Sequence, residues 1–176
     1  MRRMCFIALL AFGLQAEAAE PPLLVSIGVT ADANGLRLIH VNGKDATFPV
    51  VITNVSDKPL RIWAQWCSWG NRSIQFQLEG ADGTKTSAVS AVMAWTMNFP
   101  DFYELKPGES SVTDIAFTDS YLWSGFTLPK DQKTTKLSMR VILSIHPDED
   151  GIRLNVWNGT VQSEMNTYHF VREQKE

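Results

Sequence analysis

The sequence predicts an all-β sandwich of about seven to nine antiparallel strands. Three observations predict it. Apolar residues recur with period two rather than 3.6, the intervening stretches carry turn chemistry, and no long amphipathic helical pattern occurs. The chain has 176 residues, of which 44% are hydrophobic and 20% charged, enough for one core and too apolar for a disordered chain. A formal net charge of −3 excludes nucleic-acid binding through bulk charge.

The N-terminus reads as an address. Arg2 and Arg3 precede an apolar run over residues 6–14, and Ala16-Glu17-Ala18 supplies the small residues of a signal-peptidase site. The run falls well short of the roughly 20 residues needed to span a bilayer. Residues 1–18 are therefore expected to be a cleaved signal peptide, and 19–176 a single domain. Its expected location is periplasmic or secreted, with no membrane insertion after cleavage. Loss of Cys5 with the signal leaves Cys67 as the single thiol, so no internal disulfide is expected.

The strands follow in order. Residues 23–29 and 36–41 are opening strands, and 48–53 is apolar on both faces. Leu60, Ile62, Ala64 and Trp66 share one parity, which predicts a strand carrying all four inward. In 73–79, Ile74, Phe76 and Leu78 alternate with Ser73, Gln75, Gln77 and Glu79. Residues 111–117 and 160–171 are further strands. In 136–145, Leu137, Met139, Val141, Leu143 and Ile145 form one face, with Ile142 the one apolar exception on the other. Residues 87–97 suit either a helical turn or an irregular strand. Asp82-Gly83 is a hairpin signal, and Pro107-Gly108 occupies the centre of a type II turn. The acidic run Asp148-Glu149-Asp150 is too short for a calcium loop and reads as a solvated turn.

Two of these turns carry a resemblance. Asn54-Val55-Ser56-Asp57-Lys58-Pro59-Leu60, after an apolar strand, and Leu105-Lys106-Pro107-Gly108-Glu109, before the next, resemble turns of secreted bacterial immunoglobulin-like domains. A bacterial proteinase-inhibitor domain of β-sandwich type is similar in both places. The resemblance covers roughly residues 45–120 and implies an immunoglobulin-like antiparallel β-sandwich. No inhibitory residue is carried over from it.

The unusual feature is aromatic. Trp63, Trp66 and Trp69 fall within seven residues. If the strand continues, Trp66 faces the core, while Trp63 and Trp69 face outward, roughly 20 Å apart. In one reading the aromatic-rich stretch Met93, Trp95, Met97, Phe99, Phe102 and Tyr103 folds over them as a satellite core. In the other, Trp63, Trp69 and Trp95 form a platform for sugar rings, with Gln65 and Asn71 as polar contacts. The wide spacing favours packing.

Other groups give no catalytic or metal pattern. His40, His146 and His169 share no ligand spacing, and Cys67 reads as a buried thiol rather than a copper ligand with Met93 and Met97. Nothing local fixes Asp101 and Glu104 as an acid/base pair. No cofactor is expected. The function expected is that of an exported, non-enzymatic binding or accessory protein. It would engage a protein through an edge strand or the loops near 69–71 and 98–103. The alternative is a carbohydrate-binding module for a polysaccharide. A proteinase inhibitor follows from the resemblance alone.

Overall fold

Alternation in the sequence becomes alternation in burial. In β10 (Thr134–Ile145), Met139, Val141, Leu143 and Ile145 are buried, and the residues between them are half-buried. β5 (Ile74–Glu79) repeats this with Ile74, Phe76 and Leu78 inward. β3 (Phe48–Asn54) buries every second residue from Phe48 to Asn54. The structure, a computed structural model, describes residues 20–42, 46–93, 95, 98–117, 123–129 and 131–172. The expected signal peptide and Met97 lie outside the described residues.

The fold is all-β, with several largely antiparallel sheets. Among the described residues there are twelve strands and one short helix. β1 (Leu23–Ile27), β3 and β8 (Ser110–Ile115) form a three-stranded sheet. β2 (Leu38–Val41), β12 (Asn166–Arg172), β10, β5, β6 (Lys85–Ser90) and β9 (Trp123–Ser124) follow one another in the largest sheet, and β11 (Gly159–Gln162) also pairs with β10. β4 (Leu60–Trp63) and β7 (Phe102–Leu105) make a separate two-stranded ladder. β2 and β12 pair parallel, whereas every other strand pair is antiparallel. β1 lies against β10 and β11, so the two larger sheets share one core. At its centre Phe76, Phe117 and Phe126 pack ring to ring, with centroids 5.0 Å and 4.3 Å apart.

The strand count exceeds the seven to nine expected, for identifiable reasons. The run 160–171 is divided in two. Ile142 pairs with Gln162 but Met139 with Asn166, so the second strand carries one extra residue, a β-bulge beside β10. The ambiguous stretch 87–97 begins as the end of β6. Phe102 and Tyr103 are not part of a lid: they lie in β7, opposite Trp63 and Ile62. The acidic turn becomes a six-residue helix, α1 (Glu149–Leu154). Asp148 caps it, accepting from the Gly151 N–H at 2.6 Å, and Asn155 ends it in the left-handed region at φ 54°. Among the described residues no helix is long and apolar enough to cross a membrane.

The two resembling turns meet in space. Asn54 is 0% exposed, and its side chain is fully hydrogen-bonded. Its Nδ2 donates to the Lys58 and Leu105 carbonyls at 2.7 and 2.8 Å, and its Oδ1 accepts from the Ser56 N–H and hydroxyl at 3.0 and 2.7 Å. Its backbone N–H donates to Glu109 O, and its carbonyl accepts from Gly108 N. One buried amide thus ties residues 54–58 to 105–109 at the Leu60–Leu105 end of the β4–β7 ladder.

Candidate functional site

The opposite end of that ladder holds the tryptophans. β4 stops at Trp63, and residues 64–73 fold into consecutive tight turns. Cys67 N bonds to Ala64 O, Asn71 N to Cys67 O and Ser73 N to Gly70 O. Ala64 N donates to Asp101 O at 3.0 Å, which holds the loop against the start of β7. Gly70 makes the return possible: a Cβ there would overlap the Ala64 carbonyl oxygen.

This turn overturns the parity expectation. Ile62 and Ala64 are buried as expected, but Trp66 is 66% exposed and Trp63 only 1%. The period-two argument requires a continuing strand, and the strand ends one residue before Ala64. Trp63 packs beside Gly151 of α1, and Trp69 folds back so that the two rings lie 6.0 Å apart, not 20 Å. Trp63 is therefore core rather than platform, and Trp69 is half-buried against it.

Gln65 and Asn71 hold the loop. Gln65 Nε2 donates to Trp63 O at 3.2 Å and Ser73 Oγ at 3.3 Å. Asn71 Nδ2 donates to Ala91 O at 3.1 Å, and its Oδ1 accepts from Ser90 Oγ at 3.3 Å. These bonds tie both amides to the loop and its neighbours. Trp95 is half-buried in the segment after β6. Cys67 is buried, its thiol donating to Ala64 O at 3.1 Å.

Two concave surfaces remain at this end. The first is a hollow of about 310 Å³ lined by Trp66, Cys67, Asn98, Phe99, Pro100 and Asp101. Phe99 is 73% exposed, and so does not cover the tryptophans. The polar groups of the hollow are engaged with one another. Trp66 Nε1 donates to Asp101 Oδ2 at 2.7 Å, and Asp101 Oδ1 accepts from Phe102 N. Asn98 Oδ1 accepts from Ser68 N, while its Nδ2 donates to Ser68 Oγ. Compared with protein-family models, curated proteins and solved structures, the chain matches none of them.

The second surface is a separate cleft of about 440 Å³. Trp69, Arg72, Gln75, Ser144, His146 and Asp148 line it, from the loop, β5, β10 and the α1 cap. Ser144 N donates to Ser73 O at 2.8 Å, closing the β5–β10 ends and placing Arg72 near His146. Sequence reading passed over Arg72, treated His146 as isolated and placed Asp148 in a solvated turn.

Asp101 and Glu104 have separate partners: Glu104 meets Arg61 at 3.3 Å, both side chains partly exposed. Arg61 also donates to Leu154 O and lies over the Phe102 ring, which fixes α1 against the ladder. Tyr103 on β7 is half-buried, with its hydroxyl inside. Burial pushes its phenol up, while the nearby Ser111 and Gln65 side chains pull the other way. Neither completes a hydrogen bond to its hydroxyl.

Proposed function

We propose that this chain is an exported, non-enzymatic binding protein of immunoglobulin-like type, which engages a protein partner through the Trp66–Phe99 hollow. The single observation that carries the reading is the exposure of two large aromatic side chains around a hollow whose polar groups are already satisfied. An indole and a phenyl ring left in water are unfavourable, and contiguous apolar surface of this kind is characteristic of interaction sites. Trp is also enriched among the residues that dominate interface energetics. The Asp101 carboxylate fixes the Trp66 ring, so little side-chain freedom would be lost on binding. The occupied polar groups favour an apolar protein side chain over a saccharide in this hollow, since a sugar needs free donors and acceptors.

Two features support the finer reading. The joined turns at Asn54 and Lys106–Glu109 are those of the immunoglobulin-like resemblance, and the shared core of the two larger sheets suits a sandwich. Arg2, Arg3, the run at 6–14 and Ala16-Glu17-Ala18 support export.

The test is a pull-down from periplasmic or secreted extract at low salt, with the mature protein and its Trp66→Ala/Phe99→Ser variant as baits. A species retained by the wild type and lost by the variant is expected. Equal retention by both baits, or no retained species, would count against the reading.

A further inference from the structure

The cleft beside Trp69 is chemically unlike the Trp66 hollow. Its charged groups are uncommitted: among the described residues, the Arg72 guanidinium and the His146 imidazole have no hydrogen-bond or ion-pair partner. Asp148 uses Oδ1 to cap α1, and its Oδ2 has no partner among the described residues. Gln75 Nε2 reaches the Arg72 carbonyl at 3.4 Å, and its Oε1 has no partner among the described residues. These groups line one cleft with the half-buried Trp69, whose ring packs 6.0 Å from that of buried Trp63. The volume of about 440 Å³ falls within the usual range for small-ligand sites.

We infer that this cleft binds a short saccharide, with one ring stacked on Trp69 and its hydroxyls shared between Arg72, Gln75, His146 and Asp148. Three features select that chemistry. A flat aromatic wall takes the C–H face of a sugar ring. Arg72 offers only donors and Asp148 only acceptors, and a hydroxyl pair can satisfy both because each hydroxyl donates and accepts. A simple anion would be opposed by Asp148, and an apolar ligand would strand both charges. The inference is independent of the protein-binding reading, because the two surfaces share no lining residue. It also rebuilds the expected saccharide site around Trp69, with Arg72, Gln75, His146 and Asp148 in place of Trp63, Trp95, Gln65 and Asn71.

The experiment follows the indole N–H resonances of the mature protein by NMR. Cellotriose, maltotriose, chitotriose and trigalacturonic acid are titrated, with acetate, phosphate and glycine as controls. Two variants preserve the fold. Arg72 is exposed and unpartnered, so Arg72→Ala removes no internal bond; Asp148→Asn retains a side-chain oxygen for the helix cap. A saccharide that shifts the Trp69 resonance, with affinity about tenfold or more weaker in each variant, is expected. Trp66→Ala should leave that affinity unchanged. The inference is overturned if no trisaccharide shifts Trp69, if both variants bind as the wild type does, or if a control ligand binds as tightly as the best sugar.

Discussion

At the Leu60–Leu105 end of the β4–β7 ladder, Asn54 commits every polar atom of its side chain to the protein. At the Trp63–Phe102 end, three residues away, Arg72, His146 and one oxygen of Asp148 face a cleft without partners among the described residues, and Trp66 and Phe99 stand in solvent. Both ends are made of tight turns around a short ladder, so turn geometry does not distinguish them. What differs is whether the polar and apolar groups are satisfied internally. A saturated buried amide joins two turns at a net gain in stability. Groups left unsatisfied at a surface contribute little to folding and are available to a ligand. The Asn54 end is thus read as structural and the tryptophan end as functional. The Asn54-Val-Ser sequon illustrates the contrast: its asparagine is buried and bonded, and no glycan can be attached there in the folded state.

The contrast can be broken most severely at Asn54. Asn54→Ala takes the side-chain donor from the buried Leu105 carbonyl and the acceptor from the Ser56 N–H, at about 1–3 kcal/mol for a buried group. A loss of about 3 kcal/mol in urea unfolding is expected, with the indole signals of the folded state unchanged. A loss below about 0.5 kcal/mol would show that the junction does not organise this end.

Gly70→Ala tests the other end. Its methyl would press on the Ala64 backbone, and a loss of about 1–3 kcal/mol is expected. The effect should be local, with the Trp69 fluorescence and indole resonance changed. A neutral substitution would mean that the return after Trp63 is looser than described.

Tyr103 sharpens the comparison, because its buried hydroxyl lacks the partners that Asn54 has. Tyr103→Phe should stabilise by about 1 kcal/mol. Burial raises the folded-state pKa of Tyr103 above that of the unfolded chain, near pH 10. Its contribution is therefore complete below about pH 10 and lost as pH rises through the folded value. Tyr168 is raised in the same direction, also by burial. Tyr103→Phe should remove part of the alkaline loss seen in unfolding measurements, and an unchanged pH profile would argue that the phenol is hydrated. The smallest effect is expected at Trp66. Trp66→Ala should alter stability by no more than about 0.5 kcal/mol while abolishing partner retention.

The strands were legible in the sequence because alternation is local, and residues 136–145 carry their burial pattern in their own order. The Asn54 and Pro107-Gly108 turns were legible for the same reason, although their junction was not. The tryptophan end was not legible by parity, because the end of β4 is decided by contacts far along the chain. Asp101 receives the Ala64 N–H, and Gly70 allows the close return. The cleft was hidden for a related cause. Arg72, His146 and Asp148 meet only through the β5–β10 register and the α1 cap, and none carries a recognisable local motif. The bulge between β11 and β12 depends likewise on the partner strand.

Hydroxyl-radical footprinting of the protein, read at single residues by mass spectrometry, tests the contrast between the two ends most directly. Trp66 and Phe99 should be labelled heavily, Trp69 partially and Trp63 scarcely, and the first two should become protected when the captured partner is added. Labelling of Trp63 with protection of Trp66 in the free protein would restore the continuous strand and contradict an open, aromatic binding end.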